Sequence, residues 1–136
     1  MKTKARPMEF NVQVSMVVTS RQVADLLVGA FEGGSSYWIE NIEIGQVAEG
    51  FGSANTGSDD YYPRIIRTPL SGGFLRISIV DEEESKVLSL KEIKRGLDLM
   101  ASKYQRHWGD FIMEGDDATT SDVFLQLCVF GELIYG

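Results

Sequence analysis

His107 is the only histidine and Cys128 the only cysteine in the 136-residue chain. Catalysis of the Ser/His/Asp or Cys/His kinds would therefore have one imidazole and one thiol to draw on. A general base needs a partner that orients it, and the neighbours of His107, Arg106 and Trp108, suit a binding loop equally well. Cys128 lies in the apolar run Val123–Phe130, where burial raises a thiol's pKa and makes it a poor nucleophile. Asp116 and Asp117 present adjacent carboxylates that a hard cation would accept, but such an ion wants further spaced ligands. Helix capping explains the pair more simply.

More suggestive is arginine beside aromatic side chains outside the expected helices. Tyr61, Tyr62, Arg64 and Arg67 form one group, Phe74 and Arg76 a second, and Arg106, His107, Trp108 and Phe111 a third. Aromatic faces stack on bases, and guanidinium forks grip phosphate oxygens two at a time. A nucleotide-like ligand wants both. Any single pair of this kind is also ordinary amphipathic surface. Asp116, Asp117 and Thr119, on the polar approach to the last helix, complete the candidate ligand contacts. No catalytic residue, metal or cofactor is expected.

The elements that must position these groups are led by the final helix. From Val123 to Phe130 the only polar side chain is Gln126. A surface helix interrupts its apolar stripe with charge, and this run is too short to cross a bilayer. It predicts a buried central helix, with Thr119 as its cap and Gly131 as its stop. Leu133, Ile134 and Tyr135 continue apolar, which points to an end packed on something, its own chain or another subunit. Earlier, Phe10, Val12, Val14 and Met16 alternate with polar residues and predict a half-buried strand over Phe10–Val18. Thr19 and Gln22 form a capping box before a helix striped by Val23, Leu26, Leu27, Ala30 and Phe31. Gly33 and Gly34 should end it through positive φ. Ile42, Ile44 and Val47 predict a second strand. Residues 48–72 read as a long irregular loop, with a short strand at Ile65–Ile66. Phe74–Val80 and Val87–Leu88 are strands about an acidic turn, Asp81–Ser85. Ser89 and Glu92 cap a second amphipathic helix through Tyr104, in which Gly96 suggests close packing. The order predicts a single α+β domain spanning 1–136, an antiparallel sheet with two amphipathic helices and one buried C-terminal helix. Residues 1–6 should be a flexible basic N-terminus.

Composition limits the partners. Hydrophobic residues make up 43% and the net charge is −7, enough apolar material for one core. The acidic balance argues against binding a nucleic-acid polymer. Local arginines can still reverse the sign in one pocket. The sequence has no apolar run of membrane length and no signal region behind its basic start, and the lone cysteine fits a reducing compartment. These features point to the cytoplasm.

Two stretches carry a resemblance. Phe31-Glu-Gly-Gly-Ser-Ser-Tyr-Trp38, and Asp116-Asp-Ala-Thr-Thr-Ser-Asp-Val-Phe-Leu-Gln126 followed by Phe130-Gly-Glu-Leu-Ile-Tyr-Gly136, look like signatures of a group of small phage-encoded proteins. That group resembles the first-described anti-Thoeris proteins, sponges that bind cyclic ADP-ribose isomers and withhold them from a bacterial defence effector. The resemblance covers both ends and the helix at 90–104, and not the loop at 48–72. It implies a cytoplasmic homo-oligomer in the infected host, with ligand recesses between protomers and no catalysis. The family's stacking aromatic and phosphate-binding arginines do not map onto single positions here. Two rival expectations are a hydrolase of the same nucleotide, using His107, Asp116 or Asp117, and a protein that blocks a defence component through its apolar C-terminus.

Overall fold

In the computed structural model the core centres on one helix, α5, Ala118–Phe130. The structure describes residues 7–45, 61–115 and 117–136. The expected basic terminus at 1–6, Val47, most of the expected loop, and Asp116 lie outside them. Every side chain of α5 from Thr120 to Val129 is buried, as its nearly all-round apolar sequence requires. Gly131, in the left-handed region at φ 75°, stops it, a conformation glycine enters without a Cβ penalty.

Ahead of α5 come α1 (Ser20–Gly29), a π-turn (Ala30–Gly34), β1 (Ile39–Ile44), α2 (Arg64–Leu70), β2 (Leu75–Ile79), β3 (Lys86–Leu88), α3 (Leu90–Lys103) and α4 (Gln105–Ile112). The strands form an antiparallel three-stranded sheet in the order β1-β2-β3. Leu75, Ile77, Ile79 and Leu88 are its buried face and share one core with α1, α3 and α5. The fold is the expected mixed α+β class.

Local chemistry explains most element boundaries. Thr19 and Gln22 close the capping box before α1, the Thr19 N–H donating to Gln22 Oε1 at 2.9 Å. Glu92 reaches back at the start of α3, accepting from the Ser89 N–H at 2.9 Å and its hydroxyl at 2.6 Å. A Cβ at Gly96 would stand 2.2 Å from Cys128 Sγ, so α3 lies directly on α5 at this point. Arg95 donates to the Cys128 carbonyl near the end of α5, where a cation also favours the helix dipole.

Several expectations fail, each for an identifiable reason. Phe10–Val18 forms no strand: residues 7–19 have no regular structure and Phe10, Val12 and Val14 are exposed. Alternation predicts a face that needs covering, but it does not supply the neighbouring strand. Arg64–Leu70 is a helix, so the short strand at Ile65–Ile66 and the irregular reading of this part are wrong. Ile66, Thr68 and Pro69 are its buried residues, and Pro69 falls so near its end that it limits the helix without kinking it. Gly33 and Gly34 have no positive φ; α1 instead widens into the π-turn, with the Ser35 N–H donating to the Ala30 carbonyl at 2.8 Å. Gly34 is needed for closeness, because a Cβ there would lie 2.4 Å from the Ala118 carbonyl oxygen. Asp117, not Thr119, caps α5, accepting from the Thr120 N–H at 3.0 Å. The C-terminal stretch is held to its own chain by the Ile134 and Tyr135 amides, while the Leu133 and Ile134 side chains stay exposed.

Candidate functional site

The tightest polar arrangement in the molecule surrounds Asp122. Its carboxylate accepts from Ser35 Oγ at 2.8 Å, Trp38 Nε1 at 2.8 Å, Tyr37 OH at 2.7 Å and Gln126 Nε2 at 3.1 Å. Gln126 Oε1 in turn accepts from the main-chain N–H groups of Ile134 and Tyr135, both at 2.9 Å. Tyr135 stacks on Trp38, centroids 5.8 Å apart and planes within 7°. Burial, then the hydrogen bond to Asp122 and that residue's charge, pushes the Tyr37 phenol up to about 12. The Tyr37 ring is 53% exposed, but its hydroxyl end faces Asp122 and Gln126. With four donors on one buried carboxylate, this cluster has little capacity left for a ligand. It pins the tail and the β1 approach to α5, and its role is structural.

Unspent capacity lies one turn earlier. A cleft of about 290 Å³ opens between α4 and the start of α5, lined by Arg106, His107, Asp110, Asp117, Thr119 and Thr120. Helix α4 builds one wall: Arg106 and Asp110 are four residues apart and share a face. The same helical turn directs Phe111 into the core and half-buries Trp108, their rings 5.5 Å apart. The first turn of α5 supplies the other wall. His107 Nδ1 lies 3.3 Å from Thr120 Oγ1 across the cleft. The Thr120 N–H, bonded to the Asp117 carboxylate, leads the contacts that hold that carboxyl below its usual range. Asp117 is therefore ionised at neutral pH. Among the described residues Arg106 has neither a hydrogen-bond nor an ion-pair partner, so its five N–H donors face solvent.

Of the expected contacts, then, Arg106, His107, Asp117 and Thr119 converge. Trp108 and Phe111 belong to the core side of α4. The Tyr62 hydroxyl donates to Asp25 at 2.5 Å; burial, followed by this bond, raises its pKa, and the contact ties the approach of α2 to α1. Tyr61 is exposed and edge-on to Tyr62. Arg64 and Arg67 sit on α2. On β2 the Arg76 guanidinium covers the Phe74 ring at 5.9 Å, a cation–π contact that leaves Phe74 less free to stack on a base. These groups do not line the cleft.

Asp110 and Thr120 complete the cleft and were missed. Reading 105–112 as a helix would have found Asp110, since it falls one turn after Arg106. Thr120 carries no signal until Asp117 is known to be the cap.

The cleft is mixed in charge, with one guanidinium and one imidazole facing two carboxylates and two hydroxyls. Such a set suits a ligand with both an anionic group and hydroxyl or amine donors, as a nucleotide has. Among the described residues no Phe, Trp or Tyr side chain lines it. Among the described residues no group of three or more His, Cys, Asp or Glu side chains is placed to hold a metal ion, and none of the helices is long and apolar enough to cross a membrane. Cys128 is fully buried, and burial pushes its thiol well above the ordinary range. No protein-family model, curated protein or solved structure matches this chain significantly.

Proposed function

We propose that this chain is a binding protein that sequesters a small cyclic nucleotide signal, a cyclic ADP-ribose isomer in the first instance, without transforming it. One observation carries the reading: the α4–α5 cleft gathers Arg106, His107, Asp117 and Thr119 between two helices, with Arg106 unspent. Arg106 and His107 would take a phosphate. Asp110 and Asp117 would accept from ribose hydroxyls, and the threonines would complete the polar lining. Among the described residues no Phe, Trp or Tyr lines the cleft, so on this reading a second subunit supplies the stacking face for the base, and the protein acts as a homo-oligomer. The resemblance of the Glu-Gly-Gly and Asp-Asp-Ala-Thr-Thr stretches to phage anti-defence sponges supports reading this activity as a block on Thoeris-type signalling, exerted in the cytoplasm of an infected bacterium.

The test is calorimetry of the full chain against cyclic ADP-ribose isomers and cyclic di- and trinucleotides, followed by recovery of the ligand after heat denaturation. Arg106→Ala should weaken binding by about ten- to a hundredfold, the loss of one charge-assisted contact worth about 1.5–3 kcal/mol. Ligand should be recovered intact with and without Mg²⁺ or Mn²⁺. Time-dependent loss of ligand, abolished by a change at His107, Asp116 or Asp117, would replace the sponge by a hydrolase. Unaltered affinity in Arg106→Ala would remove the cleft from the account.

A further inference from the structure

His107 meets the cleft with one ring nitrogen engaged and the other open. Nδ1 lies 3.3 Å from Thr120 Oγ1. Nε2 has no hydrogen-bond partner among the described residues and is not one of their buried atoms, so it meets solvent. Thr120 settles which nitrogen carries the hydrogen. Its main-chain N–H leads the contacts that lower the Asp117 carboxyl; the Thr119 N–H and the Thr120 hydroxyl add to it. A hydroxyl stabilises a carboxylate by donating to it. With its single hydrogen directed there, Oγ1 faces the imidazole as an acceptor. Nδ1 is then the N–H, and Nε2 holds the lone pair of the neutral ring.

The state of Nε2 decides what the cleft can hold. A lone pair repels the oxygens of an anion, whereas a protonated nitrogen donates a charge-assisted bond to them. Helices α3 and α5 are the main elements packed on α4. The charged groups that line the cleft with His107 are Arg106 and Asp110 of α4 and Asp117 at the cap of α5. Among the described residues α3 contributes none to this lining. One guanidinium against two carboxylates leaves the cleft at −1 while the imidazole is neutral, and at zero once it is protonated. An anion entering a negative cleft is repelled, and an added proton removes that repulsion.

We propose that the cleft takes up its anionic ligand together with one proton, received at His107 Nε2, and that Thr120 is the positioning residue that leaves this nitrogen to receive it. The proton comes from solvent and returns there on release; no bond of the ligand breaks. Affinity then falls as pH rises, by at most about tenfold per pH unit, the limit for one linked proton. The inference rests on the cleft being the ligand site proposed above.

The experiment is calorimetry of the full chain with cyclic ADP-ribose isomers and with pyrophosphate, in two buffers of unlike ionisation enthalpy near pH 7.5. A proton taken up by the complex leaves the buffer, so the measured heat differs between buffers in proportion to the number transferred. Wild type should take up about half a proton or more per ligand, and its affinity should rise about three- to tenfold over one pH unit downward. His107→Gln lies outside the core; it should bind more weakly, with equal heat in both buffers and a flat pH profile. Thr120→Val keeps the side-chain shape and the main-chain N–H that Asp117 accepts. It should lose most of the proton uptake, and Thr120→Ser should retain it. Binding by the wild type with equal heat in both buffers overturns the proton coupling and leaves the cleft as the ligand site. Uptake that survives in His107→Gln puts the proton on another group, and uptake unchanged in Thr120→Val denies Thr120 its role; either overturns the assignment. No binding of any of these probes overturns the coupling and the ligand site together.

Discussion

Residues 8–17 and residues 133–135 are both apolar and both border a helix, yet only the second has its main chain tied down, with the Leu133 and Ile134 side chains still exposed. Composition does not separate them, since Leu133, Ile134 and Tyr135 are no more hydrophobic than Phe10, Val12 and Val14. Main-chain partners do. The amides of Ile134 and Tyr135 end on Gln126 Oε1, and Trp38 offers Tyr135 a flat face. Among the described residues the N-terminal segment has neither an acceptor nor a face to pack on. Apolar side chains set whether a segment gains from burial; available hydrogen-bond partners set where that burial takes place.

The comparison breaks hardest at Gln126. Gln126→Leu keeps the volume but orphans two amides and removes one donor from Asp122. It should cost about 2–3 kcal/mol in urea unfolding, and amide exchange at Ile134 and Tyr135 should approach that of Val12 and Val14. A tail still protected in this variant would show that stacking on Trp38 holds it without Gln126.

A smaller effect follows from Tyr37. Its folded-state pKa lies near 12, above the ordinary 10.0, so the neutral phenol is the form the fold favours. The stability it contributes is fully present below pH 10 and is lost as pH rises through about 12. Partial exposure of the ring screens this, so the loss is a fraction of the full linkage value. Ultraviolet titration should show one tyrosinate appearing late, together with release of the C-terminal tail. Ionisation of Tyr37 near pH 10 would detach it from the Asp122 cluster.

The smallest effect is expected at the other end. Deleting residues 1–16 should change monomer stability by less than about 0.5 kcal/mol, measured by thermal unfolding at concentrations low enough to exclude assembly. A larger loss would mean that the segment contributes to the fold of its own copy.

The sequence made the interior legible and the partners of the ends illegible. Central α5, both capping boxes and the left-handed Gly131 follow from local pattern, because each is set by residues a few positions apart or by uninterrupted hydrophobicity; Gly96 signals close packing, but not that Cys128 is what it meets. The Asp122 cluster joins residues 84–87 positions apart, and no periodicity encodes such a pairing. The cleft was half legible for the same reason. Arg106 and His107 stood out by type, while Asp110 and Thr120 enter only once α4 is a helix and Asp117 is the cap. Arginine beside an aromatic proved a weak guide: Phe74 and Arg76 satisfy each other, and Tyr62 serves Asp25.

The position of α5 has a consequence for how the chain is made. α1, the π-turn, β3, α3 and α4 all pack on a helix that follows every one of them in sequence. During synthesis these elements emerge before their common partner exists, with Leu26, Leu27, Ile93 and Met100 still unburied. Contacts of long sequence separation also slow folding, and transiently exposed apolar surface invites aggregation. Until residues 118–130 clear the ribosome, those side chains have no α5 to cover them.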